Sequence, residues 1–263
     1  SLSTPATIEV LCPGPLVAQL ILRHELSNST ITQVITLQRG SRRLEFNTTI
    51  DWQESHRLLK VAFPLNIHAT EAIHEIQFGH LRRPTHRSRQ YDADRFEVCH
   101  QKWSALADEM HGVAILTDSK YGLSVDQSTI KLSLLRSSLA PDPMAARGLH
   151  SFKYAIYPWV GPFSQSTVVQ QAYELNVSPL VLPGFAGEAS IFKIDQPNII
   201  LETLKPAEDG SKDLIIRLYE CLHYATQCIL TTSLPVQEAY QANLLETQNS
   251  PLQIGAGKII LNF

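Results

Sequence analysis

Residues 43–52 read Arg-Leu-Glu-Phe-Asn-Thr-Thr-Ile-Asp-Trp, and their alternation decides the fold class. Leu44, Phe46, Thr48, Ile50 and Trp52 fall on one parity, Arg43, Glu45, Asn47, Thr49 and Asp51 on the other. Successive side chains of a strand point to opposite faces, so this period of two predicts a strand with one face buried and one wet. Just upstream, Ile31 to Leu37 alternates too. Arg39-Gly40-Ser41-Arg42 joins the two runs and carries the glycine of a hairpin loop, which predicts an antiparallel meander.

The same period recurs at Leu59, Val61, Phe63, Leu65 and Ile67, and again from Ile130, Phe152 and Leu214 onward. Helical patterns are sparse. Val168 to Leu175 and Gln237 to Leu245 are the best, each barely two turns and weakened by β-formers. Fifteen prolines and twelve glycines punctuate these short runs. The expectation is an all-β protein, a large antiparallel sandwich with sheets packed face to face. Leu-Pro-Gly-Phe-Ala-Gly, within Pro179 to Ser190, interrupts the rhythm before Ile191 resumes it, and predicts a division into residues 1–183 and 184–263. There is no internal repeat.

Composition excludes several classes of function. The chain has 263 residues, with 22 Lys+Arg against 25 Asp+Glu and a formal net charge of -3, and no block of one sign, which argues against nucleic acid as a partner. No run approaches the roughly 18 apolar residues of a membrane span. Cys12, Cys99, Cys221 and Cys228 form no C-x-x-C pair and are expected to be reduced, mostly buried thiols in a cytoplasmic protein. Sequons at Asn28 and Asn47 follow no signal peptide and are read as chance. Ser1 at the start and an alternating run that stops at Phe263 are read as cut ends.

The densest polar stretch is His80-Leu-Arg-Arg-Pro-Thr-His-Arg87. It is expected to form an exposed loop built to meet something anionic or polyhydroxylated, or else an interdomain or intersubunit surface of Arg82, Arg83, His86 and Arg87 with salt bridges to Asp92 and Asp94. His68, His74, His80 and His86 recur every six residues, but Gly79 and Pro84 break the strand that would align them, so surface histidines are expected rather than a metal site. G-x-S-x-G, H-E-x-x-H and P-loop motifs are absent. Carboxylate pairs for glycosidic cleavage assemble only in the fold, so spacing says nothing of them.

A longer pattern runs through Asp51-Trp52, His56-Arg-Leu-Leu-Lys-Val-Ala-Phe-Pro64, Glu75-Ile-Gln-Phe-Gly-His-Leu-Arg-Arg-Pro-Thr-His-Arg87 and Trp103. It continues through Gly112-Val-Ala-Ile-Leu-Thr-Asp-Ser-Lys-Tyr-Gly122, Ala140-Pro-Asp142, Gly148-x-His150-x-Phe152-x-Tyr154, Arg217-Leu-Tyr-Glu220 and Asn243-Leu-Leu-Glu246. This pattern resembles the C-terminal half of family 38 glycoside hydrolases, the α-mannosidases, closest to their cytosolic/vacuolar branch.

The resemblance implies a retaining α-mannosidase that releases mannose from α-mannosides or oligomannose glycans. Its catalytic carboxylates and zinc-type divalent metal would sit in an N-terminal barrel absent from this chain, which would hold neither a catalytic residue nor a metal. The chain would supply a sugar-mutarotase-like supersandwich and a smaller β-sandwich truncated at its end. Its partners would be that barrel, a mannose-containing oligosaccharide and further copies in a homo-oligomer. Arg136, Asp142, Arg147 and His150 are then candidates for the rim of the sugar site, with Asp118, Lys120 and Tyr121 as the alternative set or a structural turn. The family's acidic residue two before the Gly of Gly-x-His is Ala146 here, and the basic residue after that Gly is Leu149, with Arg147 as a displaced cation. The competing expectations are a free-standing carbohydrate-binding sandwich, which needs exposed aromatic platforms, and a mutarotase. Trp52 falls on the apolar parity of its strand, which favours core packing over sugar stacking.

Overall fold

A computed structural model describes residues 5–184 and 187–263. Phe185 and Ala186, inside the expected boundary, lie outside the described residues. The chain forms two compact units, one of residues 1–76 and 81–179, the other of 77–80 and 180–263.

The larger unit begins with β1 (Thr7–Pro13), β2 (Val17–Leu26), β3 (Ser29–Gln38), β4 (Leu44–Trp52), β5 (Arg57–Pro64) and β6 (Glu71–Ile76). β7 (Gly79–Pro84), whose first two residues cluster with the other unit, precedes α1 (Gln90–Asp94) and β8 (Val98–Cys99). Then come β9 (Trp103–Ala107), β10 (His111–Thr117), β11 (Gly122–Asp126), β12 (Thr129–Ser137), β13 (Gly148–Val160) and α2 (Val168–Asn176). Nine strands form one sheet in the order β1-β2-β3-β4-β13-β10-β9-β6-β7, and four form a second, β5-β12-β11-β8. One core joins the two sheets, with Ile50, Trp52, Ile115 and Phe152 from the first and Leu123, Ile130 and Leu132 from the second.

The alternation of residues 44–52 does what its parity requires: Thr48, Ile50 and Trp52 are buried while Thr49 and Asp51 face water. The meander is present, with Gly40 at φ 80° supplying the left-handed residue that its loop needs. Trp52, Trp103 and Trp159 are all buried, so none offers a platform for a sugar ring. On the far face of the nine-stranded sheet, α2 packs against β9 and β10 through a helical stripe of Val168, Val169, Ala172 and Leu175. There Gly112 admits the Trp159 ring so closely that an added Cβ would lie 2.0 Å from it.

The structure corrects several expectations. The arginine-rich stretch is no loop: Arg82 and Arg83 belong to β7, which resumes after the Gln77-Phe78 turn, because Pro84 at the last position of a strand costs it little. Asp92 pairs with Arg89 at 3.0 Å. His74 and His80 are buried. His74 Nδ1 lies 2.8 Å from Ser104 Oγ, and burial first, then Arg83 and His100, lowers its pKa to about 3. Burial similarly brings His100 to about 4. Beside them burial pushes the Glu75 carboxyl up, although Lys102 donates to it from both Nζ, at 2.8 Å, and its backbone. Only Cys221 and Cys228 are buried; Cys12 is half-buried and Cys99 exposed, all four as free thiols.

The smaller unit contains β14 (Phe192–Ile194), β15 (Ile199–Pro206), β16 (Leu214–Glu220), β17 (Gln227–Thr232), β18 (Tyr240–Ala242), β19 (Gln248–Pro251), β20 (Ile254–Gly255) and β21 (Lys258–Asn262). They pair as β14-β17-β21-β20, β15-β16 and β18-β19. Gln237 to Leu245, expected as helix, instead contributes β18, whose backbone pairs with β19 from Tyr240 to Pro251. At the end of β16 the Glu220 carboxylate accepts from the backbone amides of Leu222, His223 and Tyr224 and from Asn198 Nδ2. Burial pushes this carboxyl up, but those four donors outweigh it and hold it below the ordinary carboxylate range. In the same unit the His80 and His223 rings stack at 4.0 Å, with His80 Nδ1 3.0 Å from the Cys221 carbonyl.

Candidate functional site

Two connections at one end of the larger unit gather the first set of candidates. One is the turn of residues 53–56 between β4 and β5; the other is the loop of residues 138–147 between β12 and β13. Strand pairing brings them together: β12 places Arg136 opposite Leu58 and Ser137 opposite Arg57, and β13 places Gly148 opposite Trp52. Ser137 Oγ accepts from the Arg57 amide at 3.2 Å, and Arg147 donates to Ser55 Oγ at 2.8 Å across the two loops. Glu54 is buried behind the turn, accepting from Asn28 N and Ser29 Oγ.

Between these walls lies a cavity of about 340 Å³, lined by His56, Arg57, Leu58, Arg136, Ser137 and Leu139 among others. None of its described lining residues is an acid. Arg136 is thus placed at a cleft, while Arg147 ties the loops together. His150 sits opposite Ile50 with Nε2 2.8 Å from the Ala146 carbonyl. Asp142 is spent within its own loop, where Oδ1 accepts from Met144 N at 2.8 Å. His56 and Arg57 were missed as site residues in the sequence. They stand within the family pattern, but they line the cleft only because β5 pairs with β12, some eighty residues away.

The alternative set lies in the turn between β10 and β11, where Asp118 and Lys120 border β13. Asp118 Oδ2 accepts from the Lys153 amide at 3.0 Å and Oδ1 from Ser119 Oγ at 2.7 Å, so the turn reading describes this acid well. Lys120 Nζ stands 4.2 Å over the Phe152 ring, and burial lowers its pKa. Phe152 is two residues from His150 on one face, so both sets border the same end of the core. Tyr121 is exposed. Of the expected interface residues, Arg83 reaches the Cys99 carbonyl at 3.4 Å, Arg87 approaches Asp126 at 3.9 Å, and Arg82 and His86 face solvent.

Two guanidinium groups and an imidazole around a small cleft suit hydroxyl or anionic oxygens. They can hold and orient such a ligand but offer no nucleophile. Among the described residues no group of three or more His, Cys, Asp or Glu side chains could hold a metal, so a divalent ion finds no donor set here. A larger cavity, about 1200 Å³, opens in the smaller unit and is lined by none of the candidates.

Residues 2–144 match the family described as "Glycosyl hydrolases family 38 C-terminal domain", and residues 198–262 match its "C-terminal beta sandwich domain". The chain belongs to glycoside hydrolase family 38. It is 43% identical over 225 residues to human "Alpha-mannosidase 2C1", covering 83% of this chain and 22% of that protein. It is 36% identical over 258 residues to "Alpha-mannosidase G" of Dictyostelium discoideum, covering 92% of this chain and 24% of the relative. The chain therefore spans under a quarter of the length of these relatives. In fold it is similar to "The crystal structure of an alpha-mannosidase from Enterococcus faecalis V583", with a TM-score of 0.80 at 19% identity over 99% of this chain and 35% of that one.

Proposed function

We propose that this family 38 chain is the C-terminal β portion of a cytoplasmic α-mannosidase that acts on mannose-containing oligosaccharides. The observation that carries the reading is its 43% identity, over most of its length, to a protein named as an α-mannosidase. The supersandwich, residues 1–183, shapes one side of the sugar site. Arg136 and Arg57 hold sugar hydroxyls at the cleft, Arg147 fixes the loop that precedes His150, and the turn of Asp118, Lys120 and Tyr121 borders the strand on which His150 lies. Residues 184–263 form a second, smaller sandwich.

Chemistry belongs to the rest of the polypeptide. Retaining cleavage requires a carboxylate nucleophile and a second carboxyl group about 5 Å away. On this reading both carboxyl groups, and a zinc-type metal, belong to an upstream barrel. Arg82, Arg83, His86 and Arg87 are proposed contacts to that barrel or to another copy in a homo-oligomer. No helix among the described residues is long and apolar enough to cross a membrane.

The test is hydrolysis of an aryl α-mannoside by the full-length protein and by this chain alone, each supplied with zinc. Full-length turnover is expected and turnover by the chain alone is not. Arg136→Ala in the full-length protein should raise KM about tenfold, the worth of a hydrogen bond from a charged donor. Turnover that survives repurification of the chain and vanishes with one of its own acids would place the chemistry in the wrong part of the protein.

A further inference from the structure

The nine-stranded sheet is wider than the four-stranded sheet that covers it, and the excess falls on β1, β2 and β3. Backbone register puts Val10, Leu20, Ile35, Phe46 and Tyr154 in one row across five strands, and Ile8, Leu22, Gln33, Thr48 and Phe152 in the next. Neighbours in a row share a face, so both rows continue the core face outward. Tyr154 and Phe152 are buried, and Phe46 still meets Phe63 of β5 at 6.3 Å. Beyond β5 the cover ends: Leu37 is 43% exposed, Leu20 40%, Ile8 62% and Val10 66%. The opposite face of these strands is mixed: Val17, Ile21 and Val34 stand among Gln19, which bonds to Thr36, and Arg23, which pairs with Glu9 at 2.9 Å.

The more apolar of the two faces is thus left open. Ile8, Val10, Leu20, Leu22, Ile35 and Leu37 make a contiguous shelf, continuous with the core, and such a surface marks an interface. We infer that this shelf is the seat of the preceding polypeptide: an apolar segment that comes before Ser1 in the full-length protein lies on it beside β5 and completes the sandwich. The inference rests on the reading above that the chain is part of a longer glycosidase. Both matching families are described as C-terminal, and more than three quarters of each relative's length lies outside the matched part. Val10 and Ile8 lie on the first strand, so the upstream polypeptide is tethered within a few residues of the shelf. A short tether gives an effective concentration in the millimolar range, which favours that occupant over a second copy.

The experiment places a benzophenone amino acid at Leu20 of the full-length protein, with Gln19 on the opposite face as control and Val10 as a second inner position. Irradiation is expected to join Leu20 and Val10 to peptides that come before Ser1 within one chain, at ten or more times the yield at Gln19. A species of doubled mass would overturn the inference in favour of a second copy, and yields no greater than at Gln19 would mean an open face. Hydrolysis of an aryl α-mannoside is scored on the same preparations. Turnover with no upstream cross-link sinks this inference alone, whereas an upstream cross-link without turnover sinks the glycosidase reading alone.

Discussion

The two halves of the nine-stranded sheet share one pattern and meet two fates. From β4 to β10 the core face is closed by the four-stranded sheet, and Ile50 and Ile115 are wholly buried. From β1 to β3 the same alternation places Leu20 and Val10 in the open. Period-two patterning therefore reports which face of a strand is apolar, and whether anything covers that face is a property of the other sheet.

The comparison breaks first at Trp52. Under the covered half Trp52→Ala should cost about 3–5 kcal/mol, read as a fall in the urea midpoint, and a loss below about 1 kcal/mol would mean that the cover is loose. On the far face, Gly112→Ala drives a methyl into the Trp159 ring and should cost about 1–3 kcal/mol. The effect of pH is gradual and accumulates over several units. His74 and His100 are neutral in the fold, with pKa values lowered from 6.5 to about 3 and about 4. The unfolded chain takes up the protons, so their contribution is complete above pH 6.5 and is lost as pH falls toward 4. The slope is about 1.4 kcal/mol per pH unit for each group. Glu75, raised by burial, acts in the opposite sense, so the slope is best read as native protein minus His74→Gln; identical pH profiles would refute the assignment. The smallest effect belongs to exposed Arg82, where Arg82→Ala should change stability by less than about 0.5 kcal/mol while weakening any contact made by β7.

The strands were legible because alternation is local: residues 31–37, 44–52 and 130–134 are strands as their patterns predict. Gln237 to Leu245 failed for the converse reason. Its Gln, Glu, Ala and Leu residues favour helix by propensity, and pairing with residues 248–251 overrides them. In the site, His56 and Arg57 stand within the family pattern, yet their meeting with Arg136 depends on the register of β5 against β12, which no local pattern carries. The buried histidines gave no signal either, because the polar partner of His74, Ser104, lies thirty residues away in sequence.

The register of β13 against β4 also has a consequence in time. Trp52 pairs with Gly148 and Leu44 with Ile156, so the central seam of the larger unit joins residues about one hundred apart. Strands β1 to β4 can form their hairpins as soon as they emerge, because each pairs with its neighbour in sequence. On a ribosome adding 5–20 residues per second, β4 then waits roughly 5–20 s for its partner. Throughout that interval the meander has two open edges and an uncovered apolar face. This is the nascent species on which a chaperone, or a neighbouring nascent chain, has the longest opportunity to act.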